Sequence, residues 1–130
     1  MKILIAEDEP LMATALEKKL ISDGHIVLFA PDGRVALELL KKELPDLIIT
    51  DIMMPYTSGL ELISIVRSDS KSKIPIIVLS GMGEEDTVLQ AFELGADDFI
   101  IKPFNPSELS VRVKRFEVKL KKMGNNVSII

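Results

Sequence analysis

Five short runs of apolar, β-forming residues divide this sequence, and longer amphipathic stretches separate them. The runs are KILIA, HIVLFA, DLIIT, PIIVLS and DFIIK, at residues 2–6, 25–30, 46–50, 75–80 and 98–102. Within each run the apolar residues are continuous and do not alternate with polar ones, as is typical of parallel strands covered on both faces. The pattern therefore predicts buried parallel strands that helices connect.

The stretches between the runs have helical periodicity. Leu16 and Leu20 repeat four residues apart in the first stretch, and Leu109 and Val113 do so in the last. Helix ends are expected at Asp23-Gly24, Leu44-Pro45 and Gly95, and a helix start at Asn105-Pro106. Successive β-then-α units predict a doubly wound α/β sheet with right-handed crossovers. The final GNNVSII, residues 124–130, is interpreted as a stop signal followed by apolar residues with no helix to join.

Length and composition narrow the functional class. A chain of 130 residues is expected to form one domain, and its formal net charge of −4 argues against electrostatic binding of nucleic acid by the molecule as a whole. The sequence has no cysteine, which excludes disulfides, thiolate metal sites and thiol catalysis. The N-terminal apolar run is too short for a signal sequence, and no segment is long enough to span a membrane, so we expect a cytoplasmic location.

Charged and polar residues end several of the predicted strands. Glu7 and Asp8 follow the first, Asp51 follows the third, Ser80 ends the fourth and Lys102 ends the fifth. Taken singly, such residues are most often helix caps or solvated side chains. In an open α/β sheet, however, ligands bind at the carboxyl ends of the strands. Crowded carboxylates need a cation, and hard oxygen ligands suit Mg²⁺ completed by a phosphate, so the pattern suggests phosphoryl transfer.

These features together resemble the receiver domain of two-component response regulators. The motifs that carry the resemblance span about residues 1 to 120 and comprise Glu7-Asp8, DIMMP at 51–55, Gly59, Ser80-Gly81, GADDFI at 95–100 and KPF at 102–104. The resemblance implies a flavodoxin-like sheet of five parallel strands in the order 2-1-3-4-5, with helices on both faces. It also implies a phosphoprotein that acts in signal transduction or a phosphorelay.

The resemblance assigns roles to individual residues. Asp51 would accept a phosphoryl group from a phosphohistidine on a sensor histidine kinase or phosphotransfer protein. Glu7, Asp8, Asp51 and the backbone carbonyl of Met53 would bind Mg²⁺. Lys102 would pair with the phosphoryl oxygens, preceding a cis bond to Pro103, while Ser80 and Phe99 would form the switch. The domain would catalyse only its own phosphotransfer and autodephosphorylation, so it is not expected to be an enzyme with a separate substrate.

Some positions depart from the common family pattern. Met53 and Met82 occupy two positions that influence dephosphorylation, and their bulk predicts slow hydrolysis; the alternative is that both merely fill gaps in loops. Ser58 replaces an aspartate that is common in relatives and is expected to cap the next helix equally well. Phe99 stands where tyrosine is also common, so packing alone would govern its rotamer.

The same resemblance suggests an output face built from helix 4, strand 5 and helix 5, which would signal to an effector domain or a partner. Asp97, Asp98 and Arg112 match a pattern used for homodimers in regulators of transcription, whereas Val88 replaces their usual cation on helix 4. The cations of helix 5 are expected to form a solvated face that does not bind nucleic acid. Residues 1–122 are expected to form the receiver, and 123–130 a tail or the start of a linker to a domain outside this sequence.

Three other functional classes share parts of this pattern. A Toprim-like, metal-dependent nucleic-acid enzyme has a similar acidic strand-end layout, but its D-x-D pair is missing where Ile52 and Met53 follow Asp51. A phosphorylation-independent interaction module on the same fold would not need the full set of Glu7, Asp8, Asp51, Ser80 and Lys102. A dinucleotide or flavin binder is disfavoured because the acidic EDEPLM, at residues 7–12, would repel a phosphate without a metal.

Overall fold

The computed structural model describes residues 1–69 and 72–129, with side chains described as far as Met123. Strands and helices alternate along it: β1 (Lys2–Ala6), α1 (Pro10–Ser22), β2 (Ile26–Ala30), α2 (Gly33–Glu43), β3 (Leu47–Asp51), α3 (Gly59–Ser68), β4 (Ile76–Ser80), α4 (Glu85–Leu94), β5 (Asp98–Ile101) and α5 (Pro106–Ile129). Each strand begins and ends within one residue of its predicted run. The apolar pattern was therefore sufficient to locate the sheet.

The strands form a parallel sheet in the order β2-β1-β3-β4-β5, which confirms the expected topology. Because the order reverses direction between β1 and β3, the carboxyl ends of these strands frame the crevice in which ligands of such folds bind. The helices fill the two faces of the sheet, as crossover connections between parallel strands require.

Alternate residues of the central strands feed two separate cores. Leu4 and Ile48 pack on the face covered by α2, α3 and α4, whereas Ile3 and Ile49 pack on the face covered by α1 and α5. All four side chains are fully buried. Burial on both faces explains why the strands are continuously apolar in sequence, and it holds their carboxyl ends rigidly in register.

Capping residues act where the sequence placed them. Gly95 ends α4 in the left-handed region with φ of 118°, and its backbone N–H donates to the carbonyls of Ala91 and Phe92. The Asn105 side chain accepts from the backbone N–H of Ser107 at 2.8 Å. Ser58 accepts from the backbone N–H of Glu61 at 3.2 Å, so serine does cap α3 as expected.

The predicted stop at Gly124 was wrong. Helix α5 continues through it to Ile129. A single glycine costs a helix only about 1 kcal/mol relative to alanine, and the preceding lysines and methionine are strong helix formers. The apolar tail residues lie outside the described side chains, and Ile130 lies outside the described backbone. Among the helices described, none combines the length and the apolar character needed to cross a membrane.

Candidate functional site

The register of the sheet brings the predicted site residues to one edge. It pairs Ala6 with Thr50, Asp51 with Leu79, and Ser80 with Ile101. Glu7 and Lys102 each lie one residue beyond the end of a strand, so both flank Asp51 at this edge. The Lys102-Pro103 peptide bond is cis, as the resemblance predicted.

Lys102 is held between two carboxylates. Its Nζ donates to Asp51 Oδ2 at 2.8 Å and to both carboxylate oxygens of Glu7 at 3.1 Å. Glu7 is fully buried and Asp51 is 8% exposed, so water screens these charges poorly. The ammonium therefore compensates for the acids that the sequence places at the end of a hydrophobic sheet.

The pKa values of Glu7 and Lys102 are shifted by burial and by the charged groups that lie close to them. Burial and, to a smaller extent, the neighbouring Asp51 charge together raise the pKa of Glu7 to about 7, against the lowering effect of Lys102. Burial lowers the pKa of Lys102, but its hydrogen bonds and charge interactions with Asp51 and Glu7 outweigh burial, so that pKa is raised overall. Lys102 thus stays cationic, and the carboxylates still lack a second positive charge.

Glu7, Asp8 and Asp51 form a cluster that could hold a metal ion. One carboxylate oxygen from each lies within 4.8 Å of the others. An all-oxygen set of this kind suits a hard divalent cation, and the exposed side of Asp8 leaves room for water or a ligand oxygen. The residues present therefore fit Mg²⁺ by donor type, charge and proximity.

Ser80 lies beside this cluster at the end of β4. It is fully buried, and no described atom makes a hydrogen bond with its Oγ. It also lines an apolar cavity of about 280 Å³ with Phe99 and Phe92. The two rings pack edge to face with centroids 5.6 Å apart. A buried hydroxyl without an acceptor is costly, so a state of the protein that provides one is favoured.

The predicted dephosphorylation positions are open to solvent. Met53 and Met82 lie in the loops after β3 and β4, and their exposed fractions are 63% and 79%. Residues packed into gaps would be buried, so the gap-filling alternative does not describe either side chain. Both side chains are therefore accessible to solvent in the loops that follow the strands of the site.

Glycines shape the loop that follows Asp51. A Cβ on Gly59 would lie 2.2 Å from the carbonyl oxygen of Asp51, and one on Gly33 would lie 2.0 Å from that of Thr57. Sequence reasoning singled out Gly59 but missed Gly33, which anchors the β3–α3 loop on α2. The Arg34 guanidinium also stacks on the Tyr56 ring at 4.5 Å. These contacts join residues distant in sequence, and no local motif signals them.

The residues expected at a dimer face are engaged within the chain. Arg112 donates to Asp98 at 2.8 Å, and Arg67 of α3 donates to Asp97 at 3.0 Å. Val88 is 8% exposed and packs in the core, so its side chain is not available to a dimer face in this arrangement.

Comparison with known proteins agrees with this architecture. The family model described as response regulator receiver domain matches residues 3–114. A probable transcriptional regulator, ycf27, of Galdieria sulphuraria is 45% identical over 113 residues, which are 87% of this chain and 44% of that protein. The alkaline phosphatase synthesis transcriptional regulatory protein PhoP of Bacillus subtilis is 41% identical over 113 residues, 87% of this chain and 47% of PhoP.

A solved structure has the same fold. The signal receiver domain of a signal transduction histidine kinase from Syntrophus aciditrophicus superimposes with a TM-score of 0.85 at 36% identity, covering 92% of each chain. This chain spans about half the length of the curated relatives it matches. The fold, the strand-end site and the family model lead to one conclusion: the chain belongs to the response regulator receiver domain family.

Proposed function

We propose that this domain accepts a phosphoryl group on Asp51 and thereby switches its surface. The observation that carries the proposal is the buried arrangement of Asp51 and Glu7 around Lys102, with Asp8 beside them at the open edge. A structural ion pair would not need a third carboxylate or an unsatisfied serine at the same point. A site that stabilises a transferring phosphoryl group would need both.

The chemistry is a displacement at phosphorus. A carboxylate oxygen of Asp51 forms the new O–P bond while the P–N bond of a phosphohistidine breaks, and the electron pair of that bond returns to the imidazole. Lys102 would donate to the phosphoryl oxygens, and the contact of its Nζ with Asp51 supports this role. Mg²⁺ held by Glu7, Asp8, Asp51 and the Met53 carbonyl would supply charge neutralisation of the phosphoryl oxygens.

Phosphorylation would then change the surface. The phosphoryl group carries a charge of roughly −1.5 to −2 in place of the single charge of the Asp51 carboxylate; it attracts Lys102 and provides acceptors for the Ser80 hydroxyl. Movement of Ser80 toward Asp51 would open space in the cavity that Phe99 lines, and Phe99 would turn into it. This repacks α4, β5 and α5, which together would signal to a partner.

The acceptor can be tested by intact mass. Incubation with acetyl phosphate and a magnesium salt should add one phosphoryl group to the wild-type protein and none to Asp51→Asn. Asp86→Asn on exposed α4 is the matched control and should be modified like the wild type. Modification of Asp51→Asn to the wild-type extent would refute the assignment.

Magnesium binding should stabilise the unphosphorylated domain. Because the cluster holds three acids against one ammonium, a bound cation relieves repulsion only in the folded state. At a hundred times the dissociation constant the gain in unfolding free energy is about 2.7 kcal/mol. Thermal unfolding with Mg²⁺ and with EDTA measures it.

Asp8→Asn should remove most of this stabilisation, since Asp8 contributes a charge without belonging to the Lys102 hydrogen-bond network. Asp86→Asn should leave it unchanged. An equal rise in melting temperature for wild type and Asp8→Asn would mean that the cation acts elsewhere.

Hydrolysis of the phosphorylated form should be slow. Met53 and Met82 place bulky apolar side chains in the two loops at the acidic edge, where they hinder an attacking water. The pair Met53→Asn and Met82→Ala should accelerate loss of the phosphoryl group about tenfold, equivalent to about 1.4 kcal/mol in the barrier. The lifetime is measured by intact mass after removal of the donor. Exposed Met123→Ala is the control, and a wild-type lifetime of seconds would contradict the proposal.

We also propose the wider setting of this receiver. Residues 1–122 would form the phosphorylated unit, fed by a sensor histidine kinase or phosphotransfer protein, and 123–130 a tail or the start of a linker. The half-length match to transcriptional regulators supports an effector domain with a role in transcription. A homodimer through α4, β5 and α5 would have to exchange the Asp98–Arg112 pair between protomers, which makes that pair the point to test.

A further inference from the structure

The loop between β4 and α4 is closed by one side chain. Glu84 Oε2 accepts a hydrogen bond from the backbone N–H of Gly81 at 2.9 Å. The same carboxylate is the nearest group to the position of a Cβ on Gly81, at 3.4 Å. Glu84 is half-buried and lines the cavity that Ser80 and Phe99 share. This contact therefore lies between the acidic edge and the surface expected to move.

Glu84 is also the residue that precedes α4, where a side chain would ordinarily cap the helix. It makes no side-chain hydrogen bond to the first turn of α4 and turns back to Gly81 instead. Immediately before Gly81, the Ser80 hydroxyl has no described partner. Of these two adjacent donors at the end of β4, the Gly81 N–H thus donates to a carboxylate, whereas the Ser80 hydroxyl has no described acceptor.

We propose that Glu84 is a positioning residue that latches the β4–α4 loop in its unphosphorylated arrangement and opposes phosphorylation of Asp51. The inference rests on the proposed function. A phosphoryl group would draw the Ser80 hydroxyl toward Asp51, and Gly81, as the next residue, would move with it and leave Glu84. The phosphoryl charge would also repel the Glu84 carboxylate, so both effects release the same contact.

The latch sets the balance between the two loop arrangements. A group that stabilises only the resting arrangement weakens the binding of every ligand that requires the other loop arrangement. The loss in binding free energy equals the stabilisation of the resting arrangement. Loss of the Glu84 carboxylate should therefore strengthen binding of a phosphoryl mimic without any new contact to it. The expected change is about fivefold in apparent affinity, the lower end of usual coupling between sites.

Beryllofluoride with Mg²⁺ is the probe, since it mimics a phosphoryl group on a carboxylate. Its apparent dissociation constant is measured by NMR titration of the wild type, Glu84→Ala, Glu84→Gln and Glu85→Ala. Glu85 is the matched control, because it is the next carboxylate in the same region but its side chain is exposed. The Gly81 amide proton shift, recorded without the probe, reports the hydrogen bond directly.

We expect tighter binding in Glu84→Ala, an intermediate value in Glu84→Gln, and wild-type binding in Glu85→Ala. The Gly81 amide proton should move upfield in Glu84→Ala, by a smaller amount in Glu84→Gln, and not at all in Glu85→Ala, because only the first two variants lose the bond to a carboxylate. If the wild type binds the probe but Glu84→Ala binds it no more tightly than Glu85→Ala, or if the Gly81 shift does not change, the latch is refuted and the proposed function is not. If the wild type binds no probe, both are refuted.

Discussion

Gly59→Ala should destabilise the domain by about 3 kcal/mol and slow phosphorylation of Asp51 by about a hundredfold. Alanine at the start of a helix would ordinarily be favourable by about 0.5–1 kcal/mol relative to glycine. Here the new Cβ would lie 2.2 Å from the Asp51 carbonyl oxygen and 2.9 Å from Ile52 Cα. Both are backbone atoms, so no side-chain rotation relieves the contact, and the end of β3 must shift.

The effect on rate follows from the position of that shift. Asp51 is the last residue of β3, and its carboxylate must keep its place beside Lys102. Chemical denaturation gives the free energy of unfolding, and phosphorylation by acetyl phosphate is followed by intact mass.

Gly81→Ala is the matched stability control. Its Cβ would meet only the end of the Glu84 side chain, at 3.4 Å. If Gly59→Ala loses no more free energy of unfolding than Gly81→Ala, the close contact between the new Cβ and the β3 backbone is easily relieved. A destabilised Gly59→Ala that is phosphorylated at the wild-type rate would show that the position of Asp51 does not depend on it.

Lys102→Met should slow phosphoryl transfer by about two orders of magnitude, because a half-buried donor aimed at the developing charge is removed. Methionine keeps an unbranched side chain, so the loss is chiefly of charge and hydrogen bonding. The pKa of Glu7, already raised to about 7 by burial and by Asp51, should rise further without the ammonium that lowers it.

A higher pKa of Glu7 also affects the stability of the Lys102→Met variant. Glu7 in Lys102→Met should remain protonated at neutral pH, which relieves repulsion from Asp51 and limits the loss of folding free energy. Carbon-13 NMR of the Glu7 carboxyl measures its titration, and intact mass measures the transfer rate. Lys41→Met, exposed on the last turn of α2, is the control because helices run back to the opposite edge of the sheet. An unchanged Glu7 titration in Lys102→Met would contradict the electrostatic explanation.

Much of the fold follows from the sequence because burial on both faces leaves an uninterrupted apolar run for every strand. The ends of these runs identified Glu7, Asp51 and Lys102, and the structure brings all three into direct contact through the Lys102 ammonium. Local signals also sufficed for caps, as Gly95 illustrates. Such features depend on neighbours in the chain, so one sequence contains them.

What the sequence did not reveal depends on contacts between distant segments. The close contact between Gly33 and Thr57 joins α2 to the loop after β3, and neither residue belongs to a distinctive sequence motif. Glu84 gave no signal because an acid before a helix is usually a cap. The end of α5 was misjudged because one glycine is weak evidence against a long helix of strong formers.

Chemical location of the phosphoryl group tests the central proposal most directly. Borohydride reduces an acyl phosphate to an alcohol, so an aspartyl phosphate becomes homoserine, which peptide mass spectrometry can place in the chain. After treatment with acetyl phosphate and Mg²⁺, we expect homoserine at position 51 and at no other aspartate. Homoserine elsewhere, or phosphorylated protein that borohydride leaves unchanged at Asp51, would contradict the assignment of Asp51 as the acceptor.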